Sequence, residues 1–264
     1  MRKKIIFSSF FVLCLQFSCT KVVQVNVKNA AKQLVIQGNI TNVQGPYAVK
    51  ISETVNYAAD NVYPPVSGAL VVIEDVTNGM KETLKEFPAG NYYTSNIQGI
   101  ETHTYKLSVT LNGKTYTATS TMPKQVPLDS VSFQTNTGFG TSITNPIPNF
   151  RDPVGEKNYY QFIQFINQKR TKKFFVFDDR LSDGKYIARQ LFNDSAYIQP
   201  LDTVDIEMQC LDKNVYNYFN ELVSITDPNS NQSSTPTNPT TNLSNGALGY
   251  FSTHTVQRKR GVFK

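Results

Sequence analysis

The chain has 264 residues, 39% hydrophobic and 17% charged, with 26 Lys and Arg against 20 Asp and Glu and a formal charge of +6. That balance excludes a disordered polymer and a multi-span membrane protein, and the length is enough for one or two domains with a real core. Two His, three Cys and no Trp rule out a His-rich metal cluster and an indole platform for sugar stacking, and restrict any His-dependent nucleophilic machine to His103 or His254.

The first element is an export segment. Arg2, Lys3 and Lys4 form a cationic start, Ile5 to Leu15 a short apolar run, and Ser18 a small residue directly before Cys19. The run is too short for a membrane span, which needs roughly 20 apolar residues. Ser18 before Cys19 is the pattern a lipoprotein signal peptidase cleaves; Cys14 follows the larger Leu13 and is the poorer candidate. The expectation is a signal peptide over 1–18 and a diacylglycerol-bearing, acylated Cys19 as the mature N-terminus, a stable anchor once two or more chains are buried. Three of the six net positive charges leave with this segment. A single unacylated thiol, Cys210, would remain, so no disulfide forms within one chain.

Residues 19–31 read as a lipidated tether that includes a candidate first strand at Val23, Val25 and Val27. From Lys32 the pattern is β. Gln33–Thr41, Tyr47–Val55, Ala69–Asp75, Lys81–Phe87, Asn91–Thr94, His103–Leu111 and Lys114–Thr121 are short strands, with hairpin signals at Asn78-Gly79 and Asn112-Gly113. Seven such strands predict an immunoglobulin-like β-sandwich over 32–123, closed by Met122-Pro123.

A second, antiparallel β-rich domain is expected over 124–264. Gln134–Asn149, rich in Gly, Thr, Asn and Pro, reads as a loop. Asn158–Asn167 and Lys172–Asp178 are aromatic strands joined by a turn at Gln168–Thr171, and Thr203–Cys210 alternates strictly. Asp212 is placed to cap a helix near 213–223, on which Val215, Tyr218, Phe219 and Leu222 recur at helical spacing. Residues 227–241 are a polar, low-complexity loop, and the chain closes with Asn245–Val256 and a basic strand from Gln257. The fold class expected is mainly all-β with one short helix.

Candidate chemistry is sparse. Gly113-Lys114-Thr115 lacks the upstream Gly of a phosphate loop, because Ser108 stands there, and it precedes a strand rather than a helix. Asp178–Gly184 lacks the regular spacing of a calcium loop and reads more simply as a turn, so no metal site or cofactor is assigned. Asp129-Ser130-Val131, Asp194-Ser195-Ala196 and Asp202-Thr203-Val204 match a short pattern of O-glycosylation. Lys169-Arg170 with Lys172-Lys173, and Arg258-Lys259-Arg260, are basic clusters, read first as solvated strand ends and second as contacts to anionic headgroups or an acidic partner. The aromatic residues of 159–177 exceed what one inward face needs, which makes Tyr159, Tyr160, Phe162, Lys169 and Arg170 the candidate partner contact.

An ordered set of short motifs carries a resemblance. It runs from Cys19 and its Val-rich tether through Leu34–Ile40, Val55-Asn56-Tyr57, Pro64–Ala69, Gly113–Ala118 with Met122-Pro123, Asp202-Thr203-Val204 and Tyr216–Phe219 to Gly246–Ser252 and Arg258-Lys259. In this order the chain resembles a Bacteroidota lipoprotein family described only as a domain of unknown function, whose members are commonly encoded beside TonB-dependent outer-membrane transporters. The resemblance implies a non-catalytic protein held in outer-membrane lipid through acylated Cys19. Its expected role is accessory to such a transporter or another envelope protein, on the periplasmic or the cell-surface face, with no nucleic-acid partner. The alternative is a surface ligand-binding or adhesive module for glycan or nutrient capture.

Overall fold

The computed structural model describes residues 31–56, 62–138, 141–193, 197–226 and 237–264. The export segment, Ser18, Cys19, the tether up to Ala30, the Asp194-Ser195-Ala196 site and residues 227–236 of the polar loop lie outside the described residues. The protein is all-β with one helix among the described residues, as its alternating sequence predicts.

The strands follow in chain order. The first eight are β1 (Leu34–Thr41), β2 (Ala48–Glu53), β3 (Leu70–Asp75), β4 (Lys81–Thr83), β5 (Lys85–Glu86), β6 (Asn91–Tyr93), β7 (Thr104–Leu111) and β8 (Lys114–Thr121). Then come β9 (Leu128–Gly138), β10 (Thr141–Arg151), β11 (Tyr159–Ile166), β12 (Lys169–Asp178), β13 (Tyr186–Ala188) and β14 (Thr203–Cys210). The helix α1 (Lys213–Thr226) and β15 (Leu248–Val262) complete the described elements.

One eight-stranded sheet, in the order β12-β11-β14-β15-β1-β2-β6-β5, forms the common layer. Its centre is a parallel pairing of β1 with β15, in which Val35 faces Leu248 and Thr41 faces His254. The boundary expected at residue 123 is therefore not a division of the sheet: the last strand of the chain is built into the sandwich begun by the first. Two smaller sheets cover one face of this layer. The four-stranded sheet β4-β3-β7-β8 packs on β1 and β2 around Ile36, Ile40, Val49, Ile51, Val71, Ile73, Leu107 and Phe251. The three-stranded sheet β13-β10-β9 packs on β11 and β14 around Leu128, Phe150, Tyr160, Phe162, Val204, Ile206 and Met208.

Cross-strand neighbours share a face, so the register assigns each side chain. Phe251 and Thr255 of β15 point to the packed face with Cys210 and Met208, whereas Tyr250, His254 and Arg258 point to the other. Onto that other face α1 docks with Val215 and Tyr216, which pack with Leu211, Tyr159 and Val176. Tyr218 and Phe219 close on the ring of Tyr250 at 5.1 and 4.8 Å. Asp212 caps the helix, accepting from the Val215 amide at 2.9 Å, and α1 runs three residues beyond the expected 223.

Two local expectations are corrected. Residues 134–138 and 141–149 are not loop but parts of the paired strands β9 and β10, in which Pro146 faces Phe133 and Pro148 faces Val131. Prolines remove ladder donors, but here on the unpaired side only: the Pro146 carbonyl accepts from Leu191, away from β9, and Pro148 is in phase with it. The polar composition that reads as loop instead makes cross-strand pairs, Thr135 with Thr144 at 2.9 Å and Asn149 with Ser132 at 2.9 Å. The β11–β12 turn is tighter than Gln168–Thr171. It is the pair Asn167-Gln168, with φ of 48° and 67°, so that Lys169 and Arg170 already belong to β12.

Candidate binding groove

The face of the large sheet that α1 leaves open forms a groove of about 600 Å³. Its residues come from five strands and the helix, yet the register makes them neighbours. On the floor, Gln161 faces Gln209 and Ile163 faces Glu207 across β11 and β14. Glu207 in turn faces Arg258, and Asn39 and Thr41 of β1 complete the far side. Phe174, Phe219 and Tyr250 form an aromatic wall, and exposed Arg170 stands at the rim.

The charges in this groove are organised in pairs. Glu207 is 7% exposed and is held by Arg258, whose Nε and Nη2 lie 2.8 and 2.7 Å from Oε2. Glu207 also accepts from the Gln209 amide at 2.7 Å, and the Arg258 guanidinium stacks 4.1 Å from the Phe165 ring centroid. One step along the ladder, Arg260 makes a forked contact to Asp205 at 2.7 and 3.0 Å. Arg258 and Arg260 are thus neutralised by β14 rather than displayed as a basic patch. Arg170 forms no ion pair among those of the described residues, and it supplies the groove's uncompensated positive charge.

His254 lines the groove but does not equip it for base catalysis. Burial alone holds its pKa down to about 4, so the ring is neutral at pH 7, and Nδ1 lies 2.9 Å from the hydroxyl of Ser252, itself fully buried. His103 sits elsewhere, with Nδ1 2.7 Å from Asp75 Oδ2 at the end of the smaller sandwich sheet. Cys210 is buried, and burial raises its thiol pKa, which keeps it protonated and inert. The arrangement can hold a ligand or peptide by amide hydrogen bonds, aromatic stacking and one cation.

Of the predicted contact residues, the structure brings only Arg170 to this groove. Tyr160 and Phe162 are corrections: at 1% and 0% exposure they belong to the packed face, where the three-stranded sheet covers them. Tyr159 points the other way but is covered by α1, its ring 4.9 Å from that of Tyr216. Lys169 lies exposed at the hairpin end. Surplus rings at 159–177 are absorbed because β11 and β12 are packed on both faces, by a sheet and by a helix. The sequence does not single out Gln161, Glu207, Gln209, Phe174, Phe219 and Tyr250 as a site, and it shows Arg258 only as part of a basic cluster. Their one sequence signal is the alternation of Asp205 and Glu207 matched by Arg258 and Arg260 at the same two-residue step.

The sequence model of a family described as a domain of unknown function, DUF4249, matches residues 20–260. No curated protein matches the chain.

Proposed function

This chain belongs to the DUF4249 family, and from that premise we propose that it is a non-catalytic envelope lipoprotein, anchored in the outer membrane through Cys19. Its role is to bind a component of a TonB-dependent transporter or a related envelope complex. The observation that carries the binding role is the groove. It combines an aromatic wall, a floor of amides and one uncompensated arginine, without a hydroxyl or thiol nucleophile held by an accessible base. Its open side is the edge of a sheet face bordered by Arg170, which suits an acidic or carbonyl-rich segment of a partner protein. The anchor rests on Ser18-Cys19 and the cationic, short apolar segment before it. No helix of the described residues is long and apolar enough to cross a membrane.

A photo-crosslinking residue at exposed Lys169, beside Arg170, in the natively expressed chain, tests the role. Capture of an outer-membrane barrel or its envelope partner is expected, and recovery of none under expressing conditions overturns it. Intact mass tests the anchor: residues 19–264 plus acyl mass is expected, and an unmodified chain overturns it. A second reading, capture of a glycan or nutrient by the groove itself, is favoured by the facing amides of Gln161 and Gln209 beside aromatic rings. A thermal shift of the protein with a panel of glycans, lost in Arg170→Ala, would support that reading over the first.

A further inference from the structure

On the opposite face of β11 from the groove, the β10–β11 and β12–β13 connections bring three carboxylates together. Asp152, Asp179 and Asp183 each offer an oxygen within 4.8 Å of the others, although Asp152 is separated from the other two by the whole β11–β12 hairpin. Asp152 and Asp179 are 1% and 3% exposed, while Asp183 opens to solvent. Buried carboxylates are ordinarily balanced by a cationic side chain. Here the charged groups gathered at Asp152 are Asp179 and Asp183, of its own sign.

A fourth oxygen is unaccounted for. Asn158 is 7% exposed, and its Oδ1 is buried with no hydrogen-bond partner. The Asp179 amide donates to the Asn158 carbonyl at 3.2 Å, so the two residues stand opposite one another and their side chains share a face. That face is also Tyr160's, two residues on, and the Tyr160 hydroxyl donates to Asp152 Oδ1. Asn158 Oδ1 therefore projects to the side on which the carboxylates meet. The donors at this place are committed to the carboxylates, the Tyr160 hydroxyl and the Gly184 amide to Asp152, the Asn158 amide to Asp179 and the Gly155 amide to Asp183, so Asn158 Oδ1 is left without one, and a cation would complete the set.

We propose that Asp152, Asp179, Asp183 and the Asn158 side-chain carbonyl form a binding site for a hard divalent cation of the calcium class, which ties the β10–β11 connection to the β12–β13 connection. The donor set is oxygen throughout, without His or Cys, and it is drawn from two irregular connections. That suits calcium, which accepts six to eight oxygens in loose geometry at roughly 2.3–2.6 Å, better than magnesium or zinc. Backbone amides already fix the ligands. Gly184 donates to Asp152 Oδ2 at 3.2 Å, Asn158 to Asp179 Oδ2 at 2.9 Å and Gly155 to Asp183 Oδ1 at 2.7 Å.

The test is titration of the chelator-treated protein with Ca²⁺, followed by thermal midpoint, with terbium luminescence excited through tyrosine as a second readout. The chain has no Trp, and Tyr160 touches a ligand, so sensitised emission reports this site. A saturable rise in midpoint with Ca²⁺, larger than with equal Mg²⁺, is expected, with terbium emission displaced by Ca²⁺. Asp183→Asn, at an exposed position that should leave folding intact, is expected to weaken binding at least tenfold. No midpoint rise at millimolar Ca²⁺, equal responses to Ca²⁺ and Mg²⁺, or unchanged affinity in Asp183→Asn would overturn the proposal.

Discussion

The cap of α1 offers the most informative single perturbation, because Asp212 ties three layers at one point. Its Oδ1 accepts from the Val215 amide at 2.9 Å, and its Oδ2 accepts from the Ser120 hydroxyl at the end of β8. Ser120 Oγ in turn accepts from the backbone amide and hydroxyl of Thr253 in β15, at 2.9 and 3.1 Å. Ser120 and Thr253 are 3% and 0% exposed. Asp212→Ala removes a cap worth about 1 kcal/mol and strands a buried hydroxyl donor, which costs about 1–3 kcal/mol. The expected loss is therefore about 2–4 kcal/mol. Asp212→Asn retains an acceptor for Val215; it puts a donor where Oδ2 took the Ser120 proton but also removes a charge whose burial raises its pKa, so these two effects oppose and the change should stay within about 1 kcal/mol. A carboxylate whose folded pKa lies above its unfolded one stabilises below the unfolded value and loses that contribution as pH rises through the folded value. Wild type should thus gain on Asp212→Asn as pH is lowered into the carboxylate range. Urea unfolding followed by far-ultraviolet circular dichroism measures both variants. A loss under about 0.5 kcal/mol in Asp212→Ala, or equal losses in the two, would refute the cap-and-hydroxyl account.

Other consequences are equally direct. His254, with a pKa near 4 in the fold against about 6.5 when unfolded, contributes stability that is complete above the unfolded value and is lost as pH falls toward 4. At about 1.4 kcal/mol per unit this is on the order of 3 kcal/mol. Denaturation midpoints from pH 7 to 4 should fall steeply in wild type and less in His254→Asn, and parallel curves would contradict the assignment. Gly249 has φ +96°, and a Cβ there would stand 2.1 Å from the Ile36 carbonyl oxygen, inside the parallel β1–β15 ladder. Gly249→Ala should cost more than about 3 kcal/mol or leave no soluble protein, and a melting temperature unchanged from wild type would place that strand elsewhere. Phe251→Ala empties a fully buried site between the two sandwich sheets, with an expected loss of about 3–5 kcal/mol in chemical denaturation; a loss under about 1 kcal/mol would contradict that packing.

Strand existence was legible because the two-residue period of Tyr105–Leu111 or Val204–Cys210 is local. Partnership was not. Nothing near Val35 announces that it lies beside Leu248, since pairing across more than two hundred residues is decided by the packing of both faces. The pairing of β9 with β10 was hidden for a different reason. Thr, Asn and Pro are turn formers in a local reading, but they become cross-strand hydroxyl pairs and one-sided prolines once a partner strand exists. The candidate sites follow the same division. Asp178–Gly184 alone has no calcium spacing, because one carboxylate arrives from Asp152 on another connection. The groove was half visible, in the matched alternation of Asp205 and Glu207 with Arg258 and Arg260, which only antiparallel pairing of β14 and β15 turns into contacts.

The two proposed sites can fail separately, because β11 divides them. Alternation sends Gln161 and Ile163 to the groove, and Tyr160 and Phe162 to the packed face that ends at Asp152. Side chains on opposite faces share no partner, so their substitutions should add within about 0.5 kcal/mol. Arg170→Glu should therefore abolish groove capture while leaving calcium affinity unchanged, and Asp183→Asn should do the reverse. Loss of crosslinking from Lys169 on chelation would break that independence. It would mean that β12, which carries Arg170 at one end and leads into Asp179 at the other, depends on the cation for its own position. Measuring both readouts in both variants separates a rigid strand with two faces from a strand whose two ends move together.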